Sequence, residues 1–197
     1  MRRQGCWVKI GSALMVMLIL LACVYIIQDP ETRRLDDSTR AKLPGQFIRL
    51  PGGVTHYTLS GPTGGQVVVL VHGFSVASYS WERNIPALTE AGNRVLAYDL
   101  YGRGYSDRPQ GRYDLQLFTD QLDQLLNALK IDHPVDIVGI SLGGYITAGY
   151  VVRHPERVRR VVLLAPQVEA MGSDPRLAPM ILPGLGDILF TCNCSGI

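Results

Sequence analysis

The sequence predicts an α/β fold: a mostly parallel sheet with flanking helices, preceded by a transmembrane helix. Three observations carry that expectation. Short runs rich in β-branched residues, such as "QVVVLVHG" at 66–73, show no polar alternation, as expected of strands buried on both faces of a parallel sheet. Between such runs lie stretches with apolar residues at helical spacing, and alternating strand and helix signals imply right-handed crossovers. Finally, the run from Ile10 to Ile27 carries no charge.

That run comes first in chain order. Residues 1–9 form a basic N-terminal region with Arg2, Arg3 and Lys9, and Gln28, Asp29, Pro30 and Glu31 end the apolar segment. Eighteen residues at about 1.5 Å each give roughly 27 Å of helix, close to the ~30 Å of a bilayer's hydrocarbon. Residues 10–27 therefore read as a single-pass membrane anchor or a signal segment. "LLAC" at 20–23 also suits lipoprotein processing at Cys23, although Val24, Tyr25, Ile26 and Ile27 keep the run apolar beyond it. Basic residues on both flanks leave only a lean toward a domain on the extracytoplasmic side. Residues 28–44, "QDPETRRLDDSTRAKLP", are charged and without periodicity, and read as a linker.

The domain proper begins near residue 45. "QFIRL" and "VTHYTLS" flank "PGG" and predict a hairpin. The buried strand at 66–73 follows, then a helix over 77–91 and a second buried strand, "NRVLAYDL", at 93–100. Leu115, Phe118, Leu122, Leu125, Leu126 and Leu129 recur at three and four residues and predict an amphipathic helix. "VDIVGIS" at 135–141 predicts a third buried strand, 144–153 a helix and "VRRVVLLAP" at 158–166 a fourth buried strand. Residues 167–197 break this rhythm, with Pro175, Pro179 and Pro183 interrupting an apolar tract.

Composition narrows the partners. With 19 basic against 17 acidic residues, and no basic stripe among aromatics, nothing points to nucleic acid. Cys6, Cys23, Cys192 and Cys194 cluster at the two ends, which suits neither a disulfide framework nor a metal site. No metal and no organic cofactor is expected.

In an open parallel sheet, ligands lodge at the carboxyl ends of the strands. The loop after the third predicted sheet strand reads Gly139-Ile140-Ser141-Leu142-Gly143, a G-x-S-x-G pattern between a strand and a helix. A serine there sits on a sharp turn, and Gly139 and Gly143 let strand and helix pass closely. Leu142 N–H, at the start of the helix, would face a developing oxyanion. His72-Gly73-Phe74 supplies a second loop, in which the Phe74 N–H would be the other donor. His72 more simply fixes that loop by a hydrogen bond than serves as a general base.

"VVLVHGF", "VLAYDLYGRGYSDRP", "DIVGISLGG" and "RVRRVVLLAP", in that order, resemble the N-terminal half of an α/β-hydrolase from about Gln46 to Pro166. The resemblance implies that residues 45–166 are the N-terminal part of that domain and that 167–197 begin its cap. It implies Ser141 as nucleophile, and Phe74 and Leu142 as donors of the oxyanion-hole N–H groups. Asp99, Arg103 and Asp107 become scaffold residues that brace the pocket wall. A serine at 141 disfavours relatives with an aspartate nucleophile, the haloalkane dehalogenases and soluble epoxide hydrolases. Esterases, lipases, acylglycerol hydrolases and carbon–carbon bond hydrolases remain.

The family's chain order places an acid and then a histidine after the nucleophile. No histidine follows His154, and Asp174 and Asp187 fall in the presumed cap. His56, His133 and His154 read as surface or turn residues. The expectation is a fragment of a membrane-anchored serine hydrolase acting on ester-like or lipid-derived small molecules. The alternative is a non-catalytic anchored protein that keeps half the fold for binding.

Overall fold

Val67–Val71 is an unbroken run of β-branched and leucine side chains, all five buried, and it forms the strand around which the sheet is built. The computed structural model describes Ser12 and residues 14–23 and 35–167. Leu35–Gln167 hold six strands: β1 (Gln46–Leu50), β2 (Gly53–Ser60), β3 (Val67–Val71), β4 (Arg94–Tyr98), β5 (Val135–Ile140) and β6 (Val158–Leu164). Their helices are α1 (Asp37–Arg40), α2 (Ile85–Glu90), α3 (Leu115–Ala128) and α4 (Leu142–Arg153), with short 3-10 turns at Ser78–Trp81 and Pro155–Arg157.

The sheet runs β1-β2-β4-β3-β5-β6. β1 and β2 form the expected antiparallel hairpin, and β2 lies antiparallel to β4. β4, β3, β5 and β6 are mutually parallel. The fold is thus a mostly parallel α/β sheet with flanking helices. On one face Val68, Leu70, Val95 and Ala97 pack with Trp81, and Ile85 and Leu88 of α2 close over them. On the other, Leu122, Leu125 and Leu126 of α3 and Ile146 and Tyr150 of α4 are fully buried. Each buried leucine contributes about 1.5–3 kcal/mol. Because β3 leads into α2 and β5 into α4 on opposite faces, the carboxyl ends of these two neighbours mark the switch point at which sheets of this kind hold their ligands.

Three expectations need correction. The strand over 135–141 forms as β5 but is buried only at alternate residues, with Ile140 36% exposed. The helix over 77–91 is split: Pro86 in the first turn of α2 has no N–H to continue the preceding 3-10 turn and starts a new helix. The strand over 158–166 forms, but it is exposed rather than buried: Val162 and Leu164 retain 48% and 40% exposure. Among the described residues its one strand partner is β5. An apolar, β-branched run signals a strand that needs cover and says nothing of where the cover is.

Within the N-terminal segment, residues 14–23 are helical, with Leu14 to Leu21 exposed. Among the described residues no helix is long and apolar enough to cross a membrane. The expected span 10–27 lies only partly within them, and the Pro-punctuated tract with Asp174 and Asp187 lies outside them.

Candidate active site

At the carboxyl end of β5 the chain must turn within one residue from strand into α4. Ser141 makes that turn with φ +52° and ψ −118°, a backbone region that non-glycine residues rarely occupy. The conformation is held from both directions. Ser141 N–H donates to Leu164 O at 3.0 Å, and Ser141 O accepts from the N–H groups of Gly144, Tyr145 and Gln167 at 3.0, 3.2 and 3.0 Å. The Ser141 side chain makes no capping hydrogen bond to its helix, so the hydroxyl is not consumed by the turn.

The glycines around it are required by contact. A Cβ on Gly139 would stand 2.4 Å from Gly143 O, and one on Gly143 would stand 2.2 Å from Val71 O. Backbone cannot yield as a side-chain tip can, so these two positions admit nothing larger than hydrogen. A Cβ on Gly73 would meet Ser141 Cβ at 3.4 Å and Oγ at 4.0 Å, which places the loop after β3 directly beside the serine.

That loop is tied to the loop after β4. His72 is fully buried; its Nε2 accepts from Leu100 N–H at 3.0 Å, so its Nδ1–H is the donor to Gly73 O at 2.7 Å. Burial pushes the imidazole below its ordinary value, more than the bond to Gly73 raises it. His72 is therefore a neutral bracket with both nitrogens occupied, as the loop-fixing expectation had it. Arg103 Nε donates to Phe74 O at 2.5 Å, and its guanidinium carbon lies 4.4 Å from the centre of the Phe74 ring.

The acidic residues of the Gly-rich loop are also engaged. Asp99 is 1% exposed and accepts from Ser78 N–H at 2.8 Å, Tyr105 N–H at 2.9 Å and His56 Nδ1 at 2.8 Å. Burial raises its carboxyl, but these hydrogen bonds outweigh that and hold it at about 2. Asp107 accepts from Val54 N–H at 2.7 Å and pairs with the buried Arg40 guanidinium. Asp99 and Arg103 thus brace the loops after β3 and β4, whereas Asp107 ties the Gly-rich loop to β2 and α1.

His56 departs from its sequence reading. It is 5% exposed, bonded through Nε2 to Pro44 O at 3.0 Å as well as to Asp99, and flanked by the rings of Phe47 and Tyr105. Gln121, unremarked in the sequence, is fully buried and joins Tyr101 N–H, Thr55 Oγ1 and Asp99 O. Its signal was its place on α3, three residues after Phe118 and four before Leu125, on the apolar face. His133 is exposed, and His154 caps α4 beside Tyr150 and Glu156.

A groove of about 370 Å³ lies elsewhere, lined by Asp37, Arg40, Ala41, Phe47, Arg49 and Val54. β1 and β2 are the far side of the sheet from β5, so it is not the Ser141 crevice. Among the described residues no three His, Cys, Asp or Glu side chains are grouped to hold a metal ion.

Residues 66–190 match a family model described as alpha/beta hydrolase fold. The chain is 33% identical over 159 residues to bifunctional epoxide hydrolase 2 of Sus scrofa, which is 80% of this chain and 28% of that one. It is 39% identical over 104 residues to 2-hydroxy-6-oxo-2,4-heptadienoate hydrolase of Pseudomonas putida, covering 51% and 37%. Among solved structures, a meta-cleavage product hydrolase of Pseudomonas fluorescens superposes with a TM-score of 0.57 at 36% identity, over 62% of this chain and 45% of that one. The enol-lactonase of Burkholderia xenovorans gives 0.64 at 26% identity, over 73% and 56%. The chain spans 28% and 37% of the two curated relatives named.

Proposed function

The chain belongs to the α/β-hydrolase fold family, and from that premise we propose that it is part of a serine hydrolase that cleaves carbonyl substrates, carboxylic esters foremost. One observation carries the reading: Ser141 sits on a strained strand-to-helix turn with its hydroxyl uncommitted and the Gly73–Phe74 loop beside it. Ser141 Oγ attacks the substrate carbonyl, and the N–H groups of Phe74 and Leu142 take the charge of the tetrahedral oxyanion. Collapse of the intermediate breaks the bond to the alcohol, which leaves with the proton given up by the serine, and water then attacks the acyl-serine ester, releasing the carboxylic acid and restoring the hydroxyl.

The serine also separates ester from epoxide chemistry among the relatives. Oxygen attack on an epoxide carbon would leave an ether on Ser141, which water does not cleave, whereas attack on a carbonyl leaves an ester, which it does. A second reading is favoured by the similarity to 2-hydroxy-6-oxo-2,4-heptadienoate hydrolase and to the meta-cleavage product hydrolase. There the scissile bond joins a ketone carbon to carbon, and the same serine and donors serve.

His72 is occupied by two hydrogen bonds, so it is not the general base of this scheme. Loss of the base lowers turnover on the order of a millionfold. The test is therefore covalent labelling rather than turnover: the full chain is incubated with a fluorophosphonate and read by intact mass and peptide mapping. One slow adduct on Ser141, absent from Ser141→Ala, is expected; no adduct, or one that survives that substitution, defeats the reading.

Anchoring through residues 10–27, with the domain on the extracytoplasmic side and lipid-derived esters within reach, belongs to the same proposal and is supported by the uncharged run alone. The expressed chain should resist alkaline carbonate extraction and be released once residues 1–34 are deleted.

A further inference from the structure

The Gly73 carbonyl and the Phe74 N–H belong to one peptide plane, and no peptide in the described chain is cis, so the two groups point in opposite directions. His72 Nδ1–H holds the Gly73 oxygen at 2.7 Å and so turns the Phe74 N–H away from the imidazole. Tilting that plane about its Cα–Cα axis would swing the oxygen away from its donor, so the bond restrains the tilt. The next plane is held as well, because Arg103 Nε donates to Phe74 O at 2.5 Å. With a carbonyl fixed on each side of the Phe74 Cα, both backbone dihedrals of Phe74 are set. The guanidinium over the ring at 4.4 Å fixes the side chain too.

Both holds converge on one short loop. Leu100 N–H is bonded to His72 Nε2, Leu100 O accepts from Arg103 N–H at 3.0 Å, and Arg103 also donates to Gly102 O at 2.8 Å. Asp99 ties Ser78, at the other end of the β3 loop, to Tyr105 in the same Gly-rich loop.

We propose that Arg103 is a positioning residue that aims the Phe74 N–H at the Ser141 crevice, with the Gly-rich loop as the template on which the oxyanion site is preformed. The proposal rests on the serine hydrolase reading above. A planar fork that reaches two carbonyls while lying over a ring is specific to arginine; lysine keeps the charge and loses the fork.

The test uses the full chain, isotopically labelled, titrated with phenylboronic acid. A lone pair on Ser141 Oγ forms a bond to the trigonal boron, the serine proton passes to water, and the tetrahedral boronate carries the negative charge. In the wild type the amide signals of Phe74 and Leu142 both shift. Arg103→Met is expected to weaken boronate binding at least about tenfold, since removal of one oxyanion donor lowers rate by about a hundredfold or more. At saturation it keeps the Leu142 shift and loses the Phe74 shift. Arg103→Lys is expected between the two.

Wild-type affinity with both shifts in Arg103→Met overturns the proposal. Should that variant fail to fold, wild-type affinity in Arg103→Lys overturns it instead. Unchanged boronate binding in Ser141→Ala, or none in the wild type, defeats the nucleophile reading itself and takes this proposal with it.

Discussion

Gly143 and Gly64 show how differently one methyl group acts at two positions in the same domain. At Gly143 a Cβ meets Val71 O at 2.2 Å and His72 O at 2.5 Å, both backbone, so α4 must lift off β3. At Gly64 it meets nothing within 4 Å. Urea unfolding of Gly143→Ala is expected to show a loss of about 3 kcal/mol, against about 0.5 kcal/mol or less for Gly64→Ala. Asp99 gives a pH signature at the same scale. Hydrogen bonds from His56, Ser78 and Tyr105 outweigh burial and hold its folded pKa at about 2, below an unfolded value of about 3.9. A depressed carboxyl contributes its stability above the unfolded value and loses it as pH falls through the folded one. About 2 kcal/mol should therefore vanish between pH 4 and pH 2. Urea midpoints across that window should fall less steeply in Asp99→Asn than in the wild type; equal slopes would mean that other carboxyls carry the effect. Ser141, with the glycines two before and two after it, was legible because sterics at a one-residue turn leave little choice. His56 was not: its neighbours β1 and β4 enclose it, and strand order is not written in a hairpin's own sequence.

Among the elements, α3 is specified most fully by its own residues. Asp114 caps it, its side chain accepting from Leu117 N–H at 3.0 Å, and the leucine stripe lies against the sheet. Asp114→Ala should lower stability by about 1 kcal/mol, and Asp114→Ser should restore most of it, measured by chemical unfolding. Loss from both alike would assign the effect to something other than the cap. β3 and β4 were legible for a related reason, since strands covered on both faces need near-continuous apolar runs, whereas β5 carries Asp136 and alternates buried with half-buried residues. β6 has the same composition and a different environment, because composition records the burial that a strand requires and not the neighbour that provides it. Gln121 shows the converse. A buried amide on an apolar face serves the backbone of Tyr101 and Asp99, and that demand arises in another element.

At the scale of the whole domain, the parallel sheet is unequal at its two sides. β2 is covered by β1, whereas β6 among the described residues is paired with β5 alone, with Val161, Val162, Leu163 and Leu164 between 38% and 48% exposed. Ile140, opposite Leu164 in the ladder, adds 36%. These side chains alternate across the pleat, so both faces of the strand carry apolar surface, and its outer backbone groups form a template for another strand. Such an edge favours self-association of residues 35–167 taken alone, because pairing two edges satisfies their hydrogen bonds while burying these side chains. Residues 35–167, purified alone, should therefore show particle size rising with concentration in light scattering and should bind a hydrophobic dye. Val162→Lys sets a charge on one face of the strand and should suppress both signals while leaving the unfolding midpoint within about 0.5 kcal/mol of the parent. A domain that stays monomeric at high concentration, or that associates equally with the lysine in place, would show that β6 is not the adhesive edge.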